Sequence, residues 1–151
     1  MNIMFVCTGN TCRSPMAGGL LEKVVEDAGD DCINVDTSGI SVYVPTPASE
    51  NAVSVMESMD VDISNHESKQ ITKEDIISAD LVLTMTESHR NILMDLYPEF
   101  GHKVFTISEY AYGTADDISD PFGGDEDEYR ECAMEIKNAV DAVYAKIKAN
   151  S

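Results

Sequence analysis

Basic residues are scarce in this chain. Ten Lys and Arg stand against 28 Asp and Glu, for a formal net charge of −18. Nucleic acid and anionic membranes both require a basic footprint, so neither is expected as a partner. Long apolar runs are missing too: none approaches the about 20 residues that cross a bilayer. The segment Met1–Cys7 lacks the basic flank and long apolar stretch of a secretory signal, so cytoplasmic placement is the expectation. Cysteine is sparse. Cys7, Cys12, Cys32 and Cys132 form no Cys-x-x-Cys pair and no Cys/His cluster of zinc spacing. Neither a disulfide framework nor a metal site is expected, and no cofactor. Cys32 and Cys132 read as inert. Internal repeats, low-complexity tracts and linker-like stretches are also absent, and 151 residues suit one ordinary domain. Residues 1–151 are therefore read as a single domain, expected to be a monomer.

The apolar residues that are present fall into short, ordered groups. Ile3-Met4-Phe5-Val6 is continuous, the pattern of a strand covered on both faces. Pro15 sits where a first helical turn accepts it. Leu20, Leu21, Val24, Val25 and Ala28 then recur at helical spacing, with Gly29 as a stop. Ile33–Thr37 alternates like a second strand, and Pro45 and Pro47 mark a loop. Ala52, Val53, Met56 and Met59 indicate a helix. Leu81–Met85 is another buried-strand run. Ile92, Leu93 and Leu96 line a helix that stops before Pro98, and Lys103–Thr106 is a fourth strand. Residues 113–128, rich in Gly and Asp, read as a loop. Tyr129, Cys132, Ile136, Val140, Val143 and Ile147 build a final amphipathic helix. Strands alternating with helices give an α/β sandwich around a small parallel sheet, with ligands at the carboxyl ends of the strands.

The first strand-to-helix turn, Cys7-Thr8-Gly9-Asn10-Thr11-Cys12-Arg13-Ser14, carries the strongest chemical signal. A loop of this length can curl so that successive backbone N–H groups point inward. Together with the positive end of the helix, such a nest holds a phosphate dianion. Gly9 allows close approach. Asn10 accepts a left-handed conformation and can tie the loop by its side chain. Arg13 offers a planar fork that matches two phosphate oxygens. Cys7 faces the middle of the nest, where the same donors favour its thiolate, the nucleophilic form. A lone Cys after a strand is usually a core residue, and a bare Cys-x5-Arg match is weak. The complete run at a strand-to-helix junction is what singles this loop out. The acidic surface opposes anion binding overall, but distant charges are screened beyond about 8–10 Å.

Breaking a bond to phosphorus also requires a proton donor for the leaving atom. Asp120 of Asp120-Pro121-Phe122 is the candidate. It lies among eight carboxylates between residues 116 and 131, whose mutual repulsion favours a protonated acid. By itself Asp-Pro marks only a turn; its pairing with the Cys loop gives it meaning.

Phe5–Pro15 with the late Asp120-Pro121, together with Thr37-Ser38-Gly39, Asn65-His66 and Ala79-Asp80-Leu81, resembles the low-molecular-weight protein tyrosine phosphatase family over essentially the whole chain. The resemblance implies a three-layer sandwich with a four-stranded parallel sheet and a phosphate-binding loop after strand 1. It implies that Cys7 forms a phosphocysteine, which water then hydrolyses. Arg13 would bind the phosphate and stabilise the transition state. Asp120 would act as acid and then as base, and Ser14 would hydrogen-bond the sulfur. Asn10 would brace the loop, supported by Ser38 and His66, while Thr8, Gly9, Asn10, Thr11, Cys12, Arg13 and Ser14 would surround the phosphate. His89 and His102 carry no functional case. In this family the second loop cysteine can pair reversibly with the nucleophile under oxidation, and Cys7 and Cys12 stand at those places.

Two departures bear on the substrate. Members acting on phosphotyrosine usually have an aliphatic residue where Thr11 stands, and often aromatic residues after Asp-Pro. Here Phe122 is followed by Gly123-Gly124. Thr11, Asp120–Gly124 and Met85-Thr86 resemble the bacterial protein-arginine phosphatase branch. A threonine hydroxyl suits a polar guanidinium, whereas an apolar side chain suits a benzene ring. Thr11 and Phe122 are thus the selectivity residues, and phosphorylated proteins the expected partners, with phosphoarginine favoured over phosphotyrosine. Arsenate reductases share the loop but need two further cysteines near residues 80–90, which are missing here. A phosphocysteine phosphocarrier is disfavoured by Arg13 and Asp120, which promote hydrolysis. A catalytically dead phosphoprotein-binding module is disfavoured because no expected catalytic residue is lacking.

Overall fold

Strand β1 (Asn2–Cys7) runs through the middle of the molecule because nearly every residue in it is apolar. Its side chains alternate between two cores. Ile3, Phe5 and Cys7 enter the larger one, while Met4 and Val6 enter the smaller. Strand β3 (Leu81–Thr84) behaves likewise: Leu81 and Leu83 pack on one face, Val82 on the other. With β2 (Asn34–Gly39) and β4 (Val104–Thr106) they form a four-stranded, all-parallel sheet of order β2-β1-β3-β4. Burying a side chain such as Phe5, which is fully enclosed, contributes about 1.5–3 kcal/mol. A polar substitution at any inward position of β1 is correspondingly costly. The computed structural model describes residues 1–151.

Helices cover both faces, as expected. On the larger-core side lie α1 (Arg13–Asp27), α2 (Glu50–Ser58), α5 (Ile107–Tyr112) and α6 (Glu126–Ala149). On the other side Ile76 of α3 (Lys73–Ser78) and Leu93 of α4 (Glu87–Leu96) pack with Met4, Val6, Val82 and Val104. A 3₁₀ turn spans Pro98–Lys103. Helix starts coincide with capping side chains: Ser49, Thr72, Thr86, Thr106 and Asp125 each accept from a backbone N–H three residues on. Ser49, Thr86 and Thr106 also place the starts of α2, α4 and α5. Gly29, at φ 64°, follows α1 as its stop.

Three features depart from the sequence reading. Helices α3 and α5 have six residues each, too short to show a period; their signals are caps, including the reciprocal Thr72–Asp75 capping box. The Gly/Asp-rich loop ends at Asp125, not at residue 128. Glu126, Asp127 and Glu128 form the first turn of α6, where negative charge is favourable.

The sheet places the carboxyl ends of β1 and β3 side by side, with β2 flanking them. Gly39 closes β2 beside the loop after β1. A Cβ there would come within 2.7 Å of the Thr8 carbonyl oxygen, so this approach requires glycine.

Candidate active site

The loop between β1 and α1 is held from beneath by Asn10. This residue is fully buried and adopts φ 56°, a left-handed conformation that Asn tolerates better than most residues. Its Nδ2 donates to Ser14 Oγ at 2.7 Å and to Thr37 Oγ1 at 3.0 Å. Its Oδ1 accepts from the Lys69 backbone N–H at 3.0 Å. The Asn10 carbonyl meets His66 Nε2 at 2.7 Å, with the imidazole donating. Three separate segments, the start of α1, β2 and the 66–69 stretch, therefore converge on one side chain and its carbonyl.

Above this brace, Cys7 ends β1 only 3% exposed, its Sγ 3.0 Å from Ser14 Oγ. The hydroxyl of Ser14 can donate to that sulfur. Helix α1 starts directly after the loop with no side-chain cap at Cys12 and no acidic residue in its first turn. Its free N–H groups and Arg13 supply a local positive field inside an acidic protein.

Arg13 is 4% exposed. One end of its fork, Nη1, donates to the Ile118 carbonyl at 2.9 Å, and Nη2 lies 3.6 Å from Asp120 Oδ2. The loop that carries Asp120 thus docks on the guanidinium and presents a half-exposed carboxyl across from Cys7. Asp120 Oδ1 also accepts from the Phe122 N–H at 3.0 Å, closing a local turn. Between loop and acid lies a cavity of about 220 Å³, lined by Cys7, Thr8, Gly9, Thr11, Cys12, Arg13, Asp120 and Phe122. Phe122 stands on the rim, 73% exposed.

Cys12 is an almost fully buried part of the cavity lining, with Sγ 3.2 Å from Tyr129 Oη and 3.5 Å from Ser49 Oγ. Burial, with help from the Cys12 contact, pushes the Tyr129 phenol up to about 12, so it remains a neutral partner. Cys132, also buried, is pushed up to about 12 by desolvation and stays a thiol. Cys32 is exposed. With Asp30 and Asp31 it forms a group of metal-type donors, well apart from this cavity in the turn between α1 and β2.

The structure thus brings together Cys7, Thr8, Gly9, Thr11, Cys12, Arg13, Asp120 and Phe122 around one space. The buried side chains of Asn10 and Ser14 brace the loop from beneath and are not among the groups that line the cavity. Ser38 differs from expectation. Its hydroxyl points to Met4 Sδ at 3.2 Å, and only its carbonyl approaches Ser14 Oγ, at 3.5 Å. Alternate strand residues face opposite sides of the sheet, so Thr37 carries the hydroxyl that meets Asn10. His89 also differs. Read from the sequence as without a case, it is buried, and its Nε2 lies 2.7 Å from Thr8 Oγ1. A polar residue in the first turn after β3, at the ligand end of the sheet, was the available signal. Tyr129 was read only as part of an apolar helix face.

A parallel sheet whose first strand ends in a cysteine beside a cavity lined by its loop, an arginine and an aspartate fits a cysteine-based phosphohydrolase. The chain belongs to the low molecular weight phosphotyrosine protein phosphatase family, whose family model matches residues 2–151. A protein-arginine-phosphatase of Bacillus subtilis is 38% identical over 148 residues, covering 98% of this chain and 97% of the relative. The low molecular weight protein-tyrosine-phosphatase PtpB of Staphylococcus haemolyticus is 34% identical, with both chains fully covered. A solved structure of a YwlE mutant from Bacillus subtilis superposes with a TM-score of 0.94 at 36% identity, covering 98% of this chain and 99% of that one.

Proposed function

We propose that this protein hydrolyses phosphoarginine in protein substrates by way of a phosphocysteine. Thr11 carries the reading. It lines the cavity beside the nucleophile, and its hydroxyl has a single weak contact, 3.7 Å to Cys12 Sγ. That hydroxyl is therefore available to the polar edge of a guanidinium. Phe122 is the one aromatic residue lining the cavity, and the chain past it continues as Gly123, at φ 81°, with no side chain to stack on a phenyl ring. The name of the 38% identical B. subtilis relative, a protein-arginine-phosphatase, supports this choice, whereas the staphylococcal relative keeps phosphotyrosine as the second reading.

In the first step the Cys7 thiolate attacks phosphorus. An S–P bond forms, the P–N bond to the substrate breaks, and the departing nitrogen takes a proton from Asp120. In the second step water attacks the phosphocysteine and gives its proton to the Asp120 carboxylate. The S–P bond breaks, releasing inorganic phosphate and restoring the thiolate. Arg13 and the loop N–H groups hold the equatorial oxygens throughout, where charge is spread in the transition state. The four unpaired thiols fit a reducing cytoplasmic setting.

Side-by-side kinetics on phosphoarginine and phosphotyrosine peptides test the assignment. Wild type is expected to show the higher kcat/KM on phosphoarginine, and Thr11→Ile to shift the ratio toward phosphotyrosine by about tenfold or more, the scale of one polar contact. Faster cleavage of phosphotyrosine peptides by wild type would refute the substrate. Hydrolysis of p-nitrophenyl phosphate that survives in Cys7→Ser would refute the nucleophile.

A further inference from the structure

The loop residue that follows the nucleophile is gripped by a histidine from another strand-to-helix turn. Helix α4 begins at the end of β3 with Thr86 as its cap, and Thr86 Oγ1 accepts from the His89 N–H at 3.2 Å. This cap sets His89 in the first turn, where it is 6% exposed. Its Nε2 lies 2.7 Å from Thr8 Oγ1, while its Nδ1 is buried without any hydrogen-bond partner.

The orphaned nitrogen decides the tautomer. A buried N–H without an acceptor is rarer and more costly than a buried acceptor left bare. The proton therefore sits on Nε2, and the imidazole donates to Thr8. Burial, reinforced by the charge of Arg13 and only partly offset by Asp117 and Asp120, lowers the His89 pKa to about 4. The ring is accordingly neutral near neutral pH. Once Thr8 Oγ1 has accepted from His89, its own hydroxyl hydrogen is left to point elsewhere. Thr8 is exposed and lines the cavity next to Cys7.

We propose that His89 is a positioning residue that turns the Thr8 hydroxyl into a donor to a phosphoryl oxygen held in the cavity. His89 itself touches neither substrate nor sulfur. It fixes the Thr8 rotamer and the direction of one O–H, adding an oriented side-chain donor to the backbone nest. This role rests on the phosphatase reading of the cavity but not on the identity of the phosphorylated residue.

The test combines calorimetric titration of inorganic phosphate with kinetics on p-nitrophenyl phosphate. The proteins are wild type, Thr8→Val, His89→Leu, His89→Gln and the double variant Thr8→Val/His89→Leu. Thr8→Val and His89→Leu are each expected to weaken phosphate binding and lower kcat/KM about tenfold, the scale of one oriented hydrogen bond. The double variant should be no worse than either single one, because both remove the same donor. Gln can place an amide N–H near the position of Nε2, so His89→Gln should stay within about threefold of wild type.

Unchanged phosphate affinity in Thr8→Val overturns the proposal. So do losses that multiply in the double variant, or a His89→Gln protein as impaired as His89→Leu. Thr8 is exposed, so Thr8→Val keeps the test available should His89→Leu fail to fold. A wild type that binds phosphate but does not hydrolyse p-nitrophenyl phosphate would refute the phosphatase reading instead, a result separable from any of these.

Discussion

Replacing Asn10 by glycine and by alanine separates two contributions of the loop brace. Asn10→Gly keeps the left-handed backbone and removes only the side chain. Three hydrogen bonds go with it, to Ser14, Thr37 and the Lys69 N–H. At about 1 kcal/mol net for each buried bond, the loss is about 3 kcal/mol. Asn10→Ala loses the same bonds and must also hold φ near 56°, which adds about 1 kcal/mol for a residue with a Cβ. Against a total stability of about 5–15 kcal/mol, both variants are expected to fold, with alanine the weaker. Urea unfolding at neutral pH reads the two differences directly. Activity is expected to fall as well, by at least about tenfold, because Ser14 Oγ loses the donor that orients it toward Cys7 Sγ. The reasoning is refuted if alanine is as stable as glycine, or if either variant unfolds within about 1 kcal/mol of wild type.

Two further outcomes follow from buried groups near the loop. Folding lowers the His89 pKa from 6.5 to about 4, through burial first and then the Arg13 charge. Between those values the unfolded chain binds the proton and the folded chain does not. Stability is therefore expected to fall as pH drops from about 6.5 to 4, with a His89 share on the order of 3 kcal/mol. Equal pH slopes for wild type and His89→Gln over that range would refute it. Cys12 shares the loop with Cys7, and we infer that oxidation joins the two sulfurs. Peroxide inactivation is expected to be reversed by dithiothreitol in wild type but largely irreversible in Cys12→Ser, where the Cys7 thiolate oxidises further. Irreversible loss in wild type would count against the pairing.

Much of the protein was legible from residue order alone, wherever the physics is local. A continuous apolar run such as Ile3–Val6 has no stable place except inside a covered sheet. The crowding of Cys7, Gly9, Asn10, Arg13 and Ser14 between a strand and a helix leaves little chemistry other than anion binding around a thiol. Thr11 and Gly123 could likewise be compared with the family pattern without coordinates. Short helices were less legible, since the six residues of α3 and α5 are shorter than two turns and show themselves only by their caps.

Tertiary structure alone decided what meets the loop from far along the chain. His89 stands 81 residues from Thr8, Tyr129 stands 117 from Cys12, and Ile118 stands 105 from Arg13. No periodicity in the sequence links such positions; they meet because parallel strands bring all their carboxyl ends to one edge. The face of β2 that meets Asn10 was likewise set by the pleat in register with β1, which chose Thr37 over Ser38. The sequence thus determined the proposed reacting atoms and the element that carries them. The fold determined which hydroxyls and which imidazole orient them, because orientation depends on contacts that only close packing creates.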